Sequence, residues 1–237
     1  MKKYLIALAL VGFATTSCYE KLNIAPPNRI TNDQIQELLK SNPEKAEAIM
    51  SSVAAGMVPL FHEKDIRDMG SADTRYYNYA DVACMRNLEA NDIAAMGTDL
   101  SGSVWGMAEY NLITVFGEHD DKVPPYWYLC WDNITAANKL LDNLPMSTVG
   151  DNKKLKQYRA MGLVTRAYFY NYLMENFQQA YMLDGQANYD NKLGMMLYTS
   201  FDPQQPYKAR ASAAETYDSI LKWSKEAVTL MKEAEVG

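Results

Sequence analysis

The chain has 237 residues, enough to bury a sizeable core as one large or two small domains. Its formal net charge of −6, from 29 acidic against 23 basic residues, argues against a nucleic-acid partner and against charge-driven binding to anionic lipid. The 17 Tyr, 4 Trp and 6 Phe suit flat sugar or peptide surfaces as well as the packing of helix on helix.

Residues 1–18 have two lysines, an apolar run over 4–14 and small residues ahead of a cysteine, which is the layout of a secretory leader. The apolar run is too short to span a bilayer. Thr15-Thr16-Ser17-Cys18 reads as a lipobox with Cys18 as the lipidated first mature residue, although Thr15 stands where Leu or Val is usual. The other reading is a secreted protein with a chance cysteine. A di- or triacylated Cys18 would carry at least two chains, enough for stable anchoring where one is marginal. Residues 19–30, with Pro26 and Pro27 and almost no periodicity, form a tether, and a helical domain is expected over 31–237.

Thr31 with Gln34 predicts a capping box, and Ile35, Leu38 and Leu39 a short amphipathic helix. Pro43 suits a first helical position, and Ala46, Ile49, Met50, Val53, Ala54 and Met57 continue an apolar face to about Leu60. Residues 61–118 are mixed, broken by Gly70, Gly97, Gly102 and Gly106, with short helices expected over 76–87 and 104–116 and a loop over 89–103. A pyranose offers an apolar face to an aromatic ring and hydroxyls to amides and carboxylates. The segment 89–111 supplies all of these closely in sequence, so Asn91, Asp92, Asp99, Trp105, Tyr110 and Asn111 are the candidate ligand-binding residues, with Trp105 either a stacking platform or core.

The strongest signal lies in 126–177. Trp127, Trp131, Ile134, Asn138, Leu141 and Leu144 recur at helical spacing, as do Leu155, Tyr158, Gly162, Thr165 or Arg166, Phe169, Leu173 and Phe177. The polar break over 145–152 is short enough to fold the second helix back on the first. Within it, Arg166 is read as bridging to a carboxylate or carbonyl while its stem packs on rings, with ligand contact as the lesser reading. Asn138 is read as a helix–helix hydrogen-bond residue. Residues 178–209 are mostly loop with an extended stretch over 193–198, and Asp184, Asn188 and Asp190 read as a solvated turn because the glycine and terminal glutamate of a calcium loop are missing. A last helix over 212–235 starts with Ser212 and Glu215 in capping-box register and buries Tyr217, Ile220, Ser224, Ala227 and Leu230 or Met231. The fold class is all-α, antiparallel helix pairs with long loops, each pair near the roughly 34 residues of tetratricopeptide units.

Catalytic and metal-binding signatures are not found in the sequence. His62 and His119 are the two histidines, and no H-E-x-x-H, paired C-x-x-C, G-x-S-x-G or phosphate-cradling glycine loop occurs. Nothing singles out a carboxylate pair for glycoside hydrolysis. A non-enzyme with no cofactor and no metal is therefore expected, with Cys84 and Cys130 unpaired.

Ile134, Ala137-Asn138 with Leu140, Leu141 and Leu144, then Arg166-Ala167-Tyr168-Phe169-Tyr170 with Leu173, then Arg210-Ala211-Ser212 with Glu215 and Tyr217, resemble in order the helical blocks of the SusD/RagB family. The resemblance covers 124–235 well and 18–116 loosely. It implies a tetratricopeptide-like scaffold in an outer-membrane surface lipoprotein of Bacteroidetes-type bacteria. Such a protein binds glycan or another nutrient and delivers it to a SusC-like TonB-dependent transporter. Family members are longer, so the chain is read as the amino-terminal part, without the carboxyl-terminal half. The alternative is a periplasmic tetratricopeptide-like module holding a peptide or protein on its concave face.

If Cys18 carries the lipid, Cys18→Ala should move the protein from the membrane fraction to the soluble one. Equal membrane retention of variant and parent would count against the lipobox.

Overall fold

A short, mostly exposed break between two long helices organises the chain, because it folds the second helix back along the first. The computed structural model describes residues 31–57, Ala83, Asn87, 123–178, 182–183, 186–187, 192–202 and 204–235. Cys18, Asn91, Asp92, Asp99, Trp105, Tyr110, Asn111, Cys84 and both histidines lie outside these residues, as do the turn residues Asp184, Asn188 and Asp190 and the helix expected over 104–116.

Helix α1 (Asn32–Ser41) starts on the expected box, with the Thr31 hydroxyl accepting from Gln34 N–H and the Gln34 side chain accepting from Thr31 N–H. A 3₁₀ turn (Pro43–Lys45) leads into α2 (Ala46–Ala55). The helix stops at Gly56, well before the expected Leu60, although Met57 beyond it is still buried.

Helix α3 (Val123–Asp142) and helix α5 (Lys153–Phe177) form the expected hairpin. Arg166 reaches Asn138 and the Phe177 ring meets Trp127, so the two helices run in opposite senses. The break between them holds a single helical turn, α4 (Met146–Val149), which the polar composition of 145–152 had hidden. Gly150 closes that turn at φ 49°, a left-handed conformation that suits glycine. Asn152 then caps α5, its Oδ1 accepting from the N–H groups of Lys154 and Leu155 at 2.9 and 3.0 Å. Where α3 and α5 cross, a Cβ on Gly162 would sit 3.0 Å from Leu141 Cγ, so glycine sets the approach.

Helix α6 (Ala213–Glu233) begins with the second expected capping box, Ser212 with Glu215, and packs antiparallel on the other side of α5. Its buried stripe is Thr216, Ile220, Trp223, Ala227 and Leu230, the last as expected in place of Met231, while the expected Tyr217 and Ser224 are only partly buried. The stripe is turned by about one residue because Trp223 is drawn under Tyr170 and Arg166 of α5, 5.2 and 4.3 Å from its ring centre.

Between α3, α5 and α6 lies the main core, with Ile134, Leu141, Phe169 and Leu173 inside it and Trp127 partly buried at its edge. A second core joins α1 and α2 to the turn end of the hairpin through Leu39, Met50, Leu140, Leu144 and Leu155. The neighbours Leu140 and Leu141 therefore serve different cores. Helix α5 is covered on several sides, so its buried residues exceed a single stripe and include Tyr170, Tyr172 and Met174. Strands β1 (Met182–Leu183) and β2 (Gln186–Ala187) pair antiparallel as a minimal ladder, and the rest of the described regular structure is helical. Among the described residues no helix is long and apolar enough to cross a membrane.

Leu173 is fully buried in the main core. Leu173→Ala should cost about 2 to 5 kcal/mol in chemical unfolding, as a cavity in a close-packed interior. An unchanged midpoint would mean the hairpin is not packed in this register.

Candidate functional site

The connection from α5 to α6 passes as an extended strap (192–202) along the hairpin, from Gln178 at the end of α5 to Asp142 at the end of α3. At its start the strap pairs with the backbone leading into α6, Gly194 N–H donating to the Ala211 carbonyl, Ala211 N–H to the Met195 carbonyl and Ala213 N–H to the Lys192 carbonyl. Farther along it meets side chains, because helical backbone is internally paired. Tyr198 N–H donates to the Tyr170 hydroxyl at 2.7 Å, and that hydroxyl donates to the Met196 carbonyl at 2.9 Å. Asn138 Nδ2 donates to the Tyr198 carbonyl, Arg166 Nη1 to the Thr199 carbonyl, and Phe201 N–H to Asp142 Oδ2 at 2.6 Å. Met195 N–H donates to Thr216 Oγ1. At Gly194 a Cβ would collide with Thr216 and with the Ser212 carbonyl, so glycine is required for the strap to lie this close to α6.

Beneath the strap a cleft of about 310 Å³ opens between α3, α5 and α6, lined by Leu141, Asp142, Arg159, Arg166, Thr199, Lys222, Trp223 and Glu226. Five of the eight are charged, which is unusual for a gap between packed helices. Arg159 grips Glu226 with two donors at 2.6 and 3.0 Å and gives a third to the Leu144 carbonyl at the end of α3. Arg166 is only 6% exposed, and its Nε has no hydrogen-bond partner among the described residues. Burial pulls the Arg166 guanidinium down to about 10, with Tyr170 and Glu226 opposing that shift. Burial likewise raises Asp142, offset in part by the Phe201 N–H bond and by Arg166.

Arg166 and Asn138 therefore have the structural work read from the sequence: one meets a carbonyl and an aromatic ring, the other joins α3 to α5 and to the strap. Asp142, Arg159, Lys222, Trp223 and Glu226 were not singled out by sequence reasoning. Lys222, Trp223 and Glu226 share one turn of α6, but no local spacing links them to Asp142 on α3 or Arg159 on α5. The residues expected to bind ligand, Asn91 to Asn111, lie outside the described structure and outside this cleft's described lining. Cys130 is buried and has no disulfide partner among the described residues, which do not include Cys84, and burial raises its thiol. Among the described residues no group of side chains could hold a metal ion.

A family model described as SusD-like, starch-binding associating with outer membrane, matches residues 34–235. The chain belongs to the SusD-like family. The match begins close to the start of α1, so it takes in the segment before 124 where the sequence blocks were only loosely similar. As a SusD-like protein the chain shares the family's starch- or glycan-binding character and its association with the outer membrane. Neither the curated proteins nor the solved structures give a significant match.

Tyr170 is buried with its hydroxyl in the strap, and burial raises its pKa above the ordinary 10.0. A raised folded-state pKa stabilises below the unfolded value and is lost as pH rises above it. Stability should thus fall as pH climbs past about 10, where unfolded tyrosine ionises. Tyr170→Phe should be less stable at pH 8 by about 1 to 3 kcal/mol, because Tyr198 N–H loses its acceptor, yet should show a shallower alkaline decline. Urea unfolding at pH 8 and pH 11 checks both, and parallel declines in parent and variant would reject the assignment.

Proposed function

We propose that this SusD-like protein is a surface lipoprotein of the outer membrane, anchored through Cys18. It binds glycan and delivers it to a SusC-like TonB-dependent transporter. The family match over residues 34–235 carries this reading, since it spans both the helical scaffold and the segment 89–111 and its description joins starch binding to the outer membrane. The helices form a scaffold with two cores, which suits presenting loops for binding. The work proposed is capture and transfer without bond cleavage, because the family is a binding family. Asn91, Asp92, Asp99, Trp105, Tyr110 and Asn111 remain the proposed glycan contacts, with Trp105 as the stacking ring.

Stacking of a flat ring on an aromatic is worth ~1 to 3 kcal/mol in the comparable case of nucleobases. A glycan-array screen of the protein, followed by calorimetry on the best hit, should show Trp105→Ala binding about tenfold more weakly or worse while remaining folded. Unchanged affinity in the folded variant would move the contacts elsewhere, and no glycan binding by the parent would favour the peptide-binding module.

A further inference from the structure

We infer that the cleft between α3, α5 and α6 is a subsite for a carboxylated sugar, held by its carboxylate at Arg166 and Lys222 and by its hydroxyls at Asp142, Glu226 and Thr199. This deepens the glycan-binding reading and rests on it. The first ground is charge. Arg159 and Glu226 cancel each other through two hydrogen bonds. Asp142 has one carboxylate oxygen committed to Phe201 N–H. Against that remaining acid stand two cations, Arg166 and Lys222, and neither forms an ion pair among the described residues. The cleft wall therefore carries a net positive charge.

The second ground is burial. A guanidinium 6% exposed and without a carboxylate partner is costly to hold, and its Nε is left without an acceptor. A ligand carboxylate would supply the missing anion beside it, with Lys222, exposed at the rim, closing from the outside. The third ground is the choice of anion. A sulfate dianion would face the carboxylates of Asp142 and Glu226 with no hydroxyls to offer them. A sugar acid has one negative charge and several hydroxyls, and those same carboxylates become acceptors for them. The volume of about 310 Å³ is at the low end of ligand pockets, about 300 to 1,000 Å³, and takes one ring, not a chain.

The test is calorimetric titration of the intact protein with D-glucuronate, D-glucose and inorganic sulfate. Glucuronate should bind, more weakly as ionic strength rises, and both glucose and sulfate should bind far less. Lys222 is exposed, so Lys222→Glu should keep its circular-dichroism spectrum and lose at least about tenfold in glucuronate affinity, the factor set by a charge-assisted hydrogen bond. Lys222→Arg should retain most of it. Sulfate binding as tight as glucuronate, or equal glucuronate affinity in parent and Lys222→Glu, overturns the subsite. A parent that binds neutral glycans on the array but not glucuronate overturns the subsite alone. One that binds glucuronate through Lys222 and no glycan supports the subsite and overturns the broader reading.

Discussion

An extended segment laid against helices presents N–H and C=O groups to neighbours whose own backbone is already paired. In this protein the strap between α5 and α6 is such a segment, and beyond its first residues, which pair with the backbone of 211–213, side chains are what answer it. Asn138 and Asp142 from α3, Arg166 and Tyr170 from α5 and Thr216 from α6 each take one or more of its backbone groups. All but Asp142 are buried. Polar residues inside a helical core are expensive unless fully bonded, and their placement follows the strap. The same set locks the three helices into one register, since each helix is tied to a different point of one chain segment.

Helix α5 bears most of this load. It meets α3 on one side, α6 on the other and α2 near its start. A helix covered that widely loses the clean division between apolar and polar faces that marks a surface helix. The residues that mark its place are accordingly exceptions to pattern: Gly162 where α3 comes closest, and Arg166 and Tyr170 where the strap crosses.

That is also why some of the structure was legible in the sequence and some was not. Capping boxes at Thr31 and Ser212, the hairpin and its core residues Ile134, Leu141, Phe169 and Leu173 depend on local spacing, and local spacing is visible in a chain. Arg166 and Asn138 stood out because each is a polar residue within an apolar stripe. The face of α6 was misjudged by about one residue, since Ile220 and Ala227 belong to either stripe and only Trp223 beneath Arg166 decides between them. Helix α2 was drawn too long because Met57 keeps the apolar rhythm past Gly56, where the helix ends. The cleft had no local signature at all: Asp142, Arg159 and Lys222 share no spacing and meet through tertiary packing.

The cleft's charges also bear on why a cation was kept at Arg166. An apolar residue of similar volume could fill the space, and replacement of buried charges by apolar groups is often neutral or stabilising. It could not donate to Asn138 and to the Thr199 carbonyl at once, and those acceptors would be left unpaired. Lysine, with a compact ammonium in place of a planar fork, could not bond them while lying flat over the Trp223 ring. The strap thus explains an arginine at this position, while its two carbonyl-type acceptors leave the guanidinium charge only partly compensated, by Glu226 and Asp142 at longer range. Scaffold and binding chemistry meet in that remainder: the side chain that fixes the strap is also the one that leaves the cleft positive.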